Sequence, residues 1–324
     1  MGQADIGRLN SELTQSADYV LELLRKGDFA GAQDEFSFIL QHDYESSLAE
    51  FGLKVTRYWL PRIKHRTTAE GYERGVQLFE QWTKFEEFCR MQHGVDAQVM
   101  NAVMYYIFTL ALEQLNKDAS SSKRMDAKLL YMVALAYKKI GNYQNAMTAF
   151  EQLLSFDIDN ADVLAQLADF YVIMGQVPAG KVLFREAFRD CPDEIKLENI
   201  ESDLFLNLID LTRKSEPTVD ERTLLYWIPV YGRIYGILNI SREITPGDFM
   251  KLKKQTVTLE REFGQLMEYD SILTAKLLNK YFLLYDYYGQ NGRDRTKREE
   301  IEDNIKKIAY NIYILFKKNE QEIG

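Results

Sequence analysis

Residues 129–160 read LLYMVALAYKKIGNYQNAMTAFEQLLSFDIDN, and 34 residues later the chain says nearly the same thing again. Leu130, Val133, Ala134, Tyr137, Gly141, Ala146, Phe150, Leu153 and Ile158 return as Leu164, Leu167, Ala168, Tyr171, Gly175, Gly180, Phe184, Ala187 and Pro192. A fixed period with small residues at the same offsets is the signature of a repeat, in which one supersecondary unit buries its apolar face on the next. Gly141 and Gly175 stand where one helix turns into another, since glycine adopts the left-handed conformation that closes a helix. No stretch alternates convincingly at period two, so the fold class expected is all-α.

Working outward, residues 14–25 and 29–40 form another helix pair. Gly27, Phe29, Ala32, Phe36 and Ile39 match Gly141, Tyr143, Ala146, Phe150 and Leu153 offset for offset, which makes the opening pair a third, degenerate copy. Asp28 is placed to cap its second helix. A helix over 45–60 is expected to end at Pro61, followed by a basic patch of Arg62, Lys64, His65 and Arg66, read as a solvated loop or as a contact for an acidic partner. Helices over 68–91 and 97–115 follow, the second apolar almost all round through Tyr105, Tyr106, Phe108, Leu110 and Leu112 and expected to be the most enclosed of its half. Asn116 to Lys123, containing Ser120-Ser121-Ser122, is the best linker candidate.

Beyond residue 194 the period fades. A helix is expected over 195–213, and Pro229 is expected to kink or break the next. Thr245-Pro246-Gly247-Asp248 reads as a turn and cap. The polar insert 290–297 precedes a last helix in which Ile301, Ile305, Ile308, Ile312 and Leu315 make a narrow seam. That seam either caps the array or joins two copies through 298–318. The chain therefore divides into an N-terminal helical segment (1–118), the repeats (119–214) and an aromatic-rich helical C-terminal segment (215–324).

Composition excludes several functions. A net charge of −9 over 324 residues argues against general affinity for nucleic acid, which needs a basic footprint. No window reaches the length of a membrane helix and the N-terminus has no signal pattern, so the chain is expected in the cytoplasm without membrane insertion. Cys89 and Cys191 read as small buried hydrophobes. His42, His65 and His93 lack a second ligand at zinc-like spacing. With no nucleophile–base pair, dry carboxylate pair or phosphate loop in context, no enzyme activity, cofactor or metal is expected. Acidic pairs such as Asp157-Asp159 and Asp190-Asp193 read as caps. Twenty tyrosines, with Tyr281, Tyr285, Tyr287 and Tyr288 clustered, suit either an interface or a core with hydroxyls at its rim.

The doubled stretch resembles the tetratricopeptide repeat, with copies at 127–160 and 161–194. Leu130 stands where the family often has tryptophan, Val133-Ala134 stand for its Leu-Gly pair, Tyr137 for its tyrosine, Ala146 and Phe150 match its second helix, and Pro192 keeps its terminal proline. The resemblance implies a right-handed superhelix of antiparallel helix pairs, an α-solenoid, ending in an irregular helical C-terminal region. It implies a scaffold or adaptor that binds a protein or peptide partner in a groove lined by the first helices. Groove-facing candidates are Lys128, Tyr131, Leu135, Lys138 and Lys139, then Asp162, Ala165, Gln166 and Asp169. Family members that clamp a terminal carboxylate use a Lys and Asn pair; Tyr131 and Leu135 occupy those positions here, against such a clamp. A self-associating component and a ligand- or peptide-sensing module are the alternatives.

Overall fold

The computed structural model describes residues 3–64, 68–121, 127–156, 160–240, 244–289 and 294–323. Among them there are fifteen α-helices, two 3-10 turns and no strand, with successive helices packed in sequence order as in a helical repeat solenoid. Contacts divide the chain into two compact units, Met1–Phe150 and Glu151–Gly324. His65, Arg66, Ser122, Asp157, Ile158, Asp159 and positions 290–293 of the polar insert lie outside the described residues.

The first unit holds α1 (Gln3–Lys26), α2 (Phe29–His42), α3 (Ser47–Lys64), α4 (Gly71–Arg90), α5 (Ala97–Ser121), α6 (Ala127–Lys139) and the start of α7 (Tyr143–Phe156). Its core is aromatic: Trp59 stacks on Trp82 at 6.5 Å and meets Phe85 at 5.2 Å, and Phe79 meets Phe108 edge-on at 4.8 Å. Asp28 caps α2 as expected, its carboxylate accepting from the Gly31 N–H at 2.9 Å. Cys89 is buried, and burial first, then the charge of Glu86, pushes its thiol up to about 11.

Local reading fails at three places here. Helix α3 runs through Pro61 to Lys64 instead of stopping. The proline gives up one N–H near the helix end, where Arg62 folds back to donate to the Tyr58 carbonyl and lies 3.6 Å over the Tyr58 ring. Helix α5 continues to Ser121, so Ser120 and Ser121 finish a helix. It is also not enclosed all round, since Tyr105 is exposed.

The second unit holds the rest of α7, then α8 (Ala161–Ile173), α9 (Val177–Ala187), 3-10 turns at Pro192–Glu194 and Leu197–Asn199, α10 (Asp203–Ser215), α11 (Glu221–Ile234), α12 (Pro246–Phe263), α13 (Ser271–Gly289), α14 (Arg295–Ile308) and α15 (Tyr310–Ile323). The expected turn and cap are present, with Thr245 Oγ1 accepting from the Asp248 N–H at 3.1 Å. Helix α11 is continuous through Pro229 rather than broken, and Leu224 to Gly232 are all buried around it. Tertiary packing on α13 compensates for the lost helix bond. The last helix is two: the chain breaks at Ala309, and Ile301, Ile305 and Ile312 are buried within the unit's own core. The isoleucine seam is thus an intramolecular packing surface.

The repeat is visible in backbone detail. Gly141 and Gly175 have φ of +77° and +79°, and each turn is closed by the same pair of bonds. The glycine N–H meets the carbonyl three residues back, and the next N–H meets the Tyr137 or Tyr171 carbonyl at 2.9 and 2.7 Å. Gly27 repeats this conformation at φ +79°. In the α8–α9 pair the small residue at the crossing is Gly180, where an added Cβ would stand 2.7 Å from the Ala168 carbonyl oxygen and 2.6 Å from Val172. Gly180→Ala is therefore expected to destabilise the second unit by about 1–3 kcal/mol despite alanine's better helix propensity. A urea midpoint equal to or above wild type would refute that close approach.

Candidate functional site

On α6, Lys128 is exposed, while Tyr131 and Lys139 are half-buried. The Tyr131 ring is held edge-on against Phe150 of α7 at 5.9 Å. Leu135 and Lys138 are buried at 4% and 1% exposure, which removes them from the expected groove lining. On α8 the outcome is the same: Gln166 and Asp169 are fully buried, as is Ala165, and Asp162 is nearly so.

The burial on α8 has a clear cause. The segment expected to begin a helix at 195 is an extended lead-in with one 3-10 turn, and α10 starts only at Asp203. That lead-in is tied down on α8, with the Lys196 N–H donating to Asp162 Oδ1 at 3.0 Å. The Glu201 and Ser202 N–H groups donate to the two Asp169 carboxylate oxygens, each at 2.9 Å. Ser202 stands at the N-cap of α10 but makes no cap bond with its own side chain. Asp169 instead takes the two amides just ahead of the helix, those of Glu201 and of the N-cap Ser202 itself. Asp162 and Asp169 thus face the protein's own backbone, and Gln166 donates to the Asp162 carboxylate at 3.5 Å.

Two charged clusters that the sequence did not single out organise the same unit. In one, the Asp286 carboxylate of α13 receives Arg185 of α9 and the Arg233 fork of α11, whose Nε is 2.9 Å and Nη2 2.8 Å from Oδ1. Glu320 of α15 extends it to Arg298 at 3.2 Å and to the Tyr285 hydroxyl at 2.9 Å. Tyr281 and Tyr285 are core residues with hydroxyls bonded to carboxylates; burial first, then those carboxylates, raises both phenols well above their ordinary range. Tyr287 and Tyr288 remain half-buried beside Phe249, Tyr287 stacking on it at 4.1 Å.

In the other cluster, Lys280 of α13 places its ammonium 2.8 Å from both Asp190 Oδ1 and the Arg189 carbonyl. Lys251 and Gln255 of α12 reach the same carboxylate at 3.2 and 3.3 Å. Burial pulls the Asp190 carboxyl up, but Lys280, with Arg189 and Lys251, outweighs it and holds the group well below the usual range. Burial lowers Lys280 in spite of its partner. A carboxyl depressed in the folded state stabilises above its unfolded pKa and loses that contribution as pH falls. The second unit should weaken between roughly pH 5 and 2, and Asp190→Asn should flatten that stretch of a stability-against-pH curve. Parallel curves for the two proteins would show that Asp190 does not contribute. Beside it, Cys191 is exposed, contrary to the expected burial, and both cysteines are free.

Among the described residues no cluster of His, Cys, Asp and Glu could hold a metal ion, and no helix is long and apolar enough to cross a membrane. Residues 127–159 match the tetratricopeptide repeat family model. The match covers one tetratricopeptide repeat, about a tenth of the chain, with helical units on both sides of it. No curated protein matches it. The repeat is in general a protein–protein interaction module, and proteins of this family are typically non-enzymatic scaffolds.

Proposed function

We propose that the chain is a non-enzymatic scaffold or adaptor that binds a peptide or helix of a partner protein in the cytoplasm. The observation that supports this is the tetratricopeptide repeat at 127–159, whose helix-turn-helix geometry recurs at α8–α9. Stacked helix pairs present an extended surface that receives a chain segment more readily than a small substrate. The contact proposed is on α6, through Lys128, Tyr131 and Lys139, a choice supported by the solvent-accessible surface that these members of the expected groove set keep. Their two ammonium groups suit an acidic segment.

The test is quantitative affinity capture from native lysate with wild type beside Lys128→Glu/Lys139→Glu, both checked for equal melting temperature. The proposal expects a protein recovered with wild type and depleted at least about tenfold with the double variant, the scale of two lost charge contacts. Equal recovery would take the contact off α6, and recovery of nothing above a bead control would overturn the scaffold reading.

A further inference from the structure

The second unit contains a cavity of about 320 Å³ outside the repeat helices of the matched stretch, at the small end of the range for ligand sites. Lys254, Gln255 and Leu259 of α12 face Lys276 and Lys280 of α13 across it, and Phe188, Pro192 and Tyr226 complete the lining. Much of its polar surface is already committed. Lys280 and Gln255 bind Asp190, Asn279 donates to the Phe188 carbonyl at 3.2 Å, and Arg189 is paired with Glu186 at 2.6 Å. These bonds make a stiff floor whose charges cancel.

Lys254 and Lys276 are what remains. Neither has a carboxylate partner among the described residues, and Lys276 is held with its ammonium 4.8 Å over the face of Tyr226. Burial first, then the neighbouring Asp193 carboxylate, raises the Tyr226 phenol to about 12, so it brings no negative charge of its own. Two uncompensated ammonium groups therefore line one small cavity of a chain whose net charge is −9. Phe188, Pro192 and Leu259 supply apolar walls beside them.

A cavity that presents spare positive charge next to apolar walls recognises an anion carried on an apolar body. Its chemistry favours a carboxylate over a phosphate, because phosphate sites draw on helix N-termini, backbone N–H groups and arginine forks. This lining offers lysine point charges, and its arginine is already paired. We propose that the α12–α13 cavity is a binding site for an organic carboxylate with an apolar body, presented either by a free acid or by an acidic residue next to an apolar one in a peptide. The site goes beyond the α6 contact and does not depend on it.

Isothermal titration of the full chain tests this with four probes: octanoate, acetyl-Leu-Glu, acetyl-Leu-Gln-amide and inorganic phosphate. At least one of the two carboxylate probes is expected to bind, with the neutral amide and phosphate at least about tenfold weaker. Tighter binding of octanoate assigns a free acid as the ligand, and tighter binding of the dipeptide assigns a peptide. Lys254→Glu and Lys276→Glu should each weaken the better probe about tenfold, while Lys253→Glu, on the same helix but outside the cavity, leaves it within about twofold. Each variant is accepted only with an unchanged circular dichroism melt, and Lys254→Gln provides a milder form of the same test. No heat from either acid up to about 5 mM, equal binding of amide and acid, preference for phosphate, or indifference to both charge reversals would overturn the site.

Discussion

Asp286→Ala is expected to destabilise the second unit by about 3–5 kcal/mol, the cost of leaving buried charge without its partner. Asp286 sits between Arg185, 5% exposed, and Arg233, 13% exposed, and both guanidiniums aim at its carboxylate. Arg233 would keep only Glu320 at 3.7 Å, which Arg298 and the Tyr285 hydroxyl also claim. Arg185 Nη1 already lacks a hydrogen-bond partner, so Arg185 would have little left to hold it. Asp286→Asn, which keeps the shape and one acceptor, should cost less, and Arg185→Met combined with Asp286→Met should recover part of the loss, because removing both charges removes the desolvation penalty as well. Urea denaturation with hydrogen exchange read on α13 peptides measures each. If Asp286→Ala costs under about 1 kcal/mol, the cluster is a surface ion pair in energetic terms.

The second large effect is local. Asp169→Ala should cost about 2–4 kcal/mol and release the lead-in to α10, since the Glu201 and Ser202 amides lose a charged acceptor in a buried setting. Hydrogen exchange should rise sharply across 195–206, while the turn at Gly175, on the far side of α9 in the same unit, keeps its protection. Unchanged exchange over 195–206 would mean that the apolar anchors Ile195 and Ile200, both 4% exposed, hold the segment by themselves.

These two sites also mark where sequence reading stops. Gly141, Gly175 and Gly27 were legible because each signals its own backbone geometry, and the flanking apolar spacing belongs to the same short stretch. The lead-in at 195–202 was not, because the acceptors that keep it from being helical are carboxylates 32 to 34 residues earlier. Pro61 and Pro229 were overread: local chemistry gives the loss of one helix bond, and packing decides whether that loss ends a helix. The break at Ala309 carries no glycine or proline and follows from burying Ile301, Ile305, Ile312 and Phe316 in one core. Of the groove set, Lys128, Tyr131 and Lys139 keep access to solvent, whereas Leu135, Lys138, Gln166 and Asp169 do not, because a period of 34 identifies a helix face without saying what covers it. The α12–α13 cavity left no pattern at all, since its lysines mean something only once two separate helices face each other.

The three turn glycines share a backbone conformation but not their surroundings. At Gly141 and Gly175 nothing lies within 4 Å of where a Cβ would be, whereas at Gly27 the Tyr106 ring would be 2.2 Å away. The first two positions resist a side chain only through the left-handed backbone, a penalty that asparagine and aspartate largely escape. The third resists through volume as well. In a library of chains selected for folding, Asn and Asp should therefore accumulate beside Gly at 141 and 175, while 27 stays glycine. The open turns are also the points at which a reporter sequence could be spliced into this scaffold without disturbing its cores.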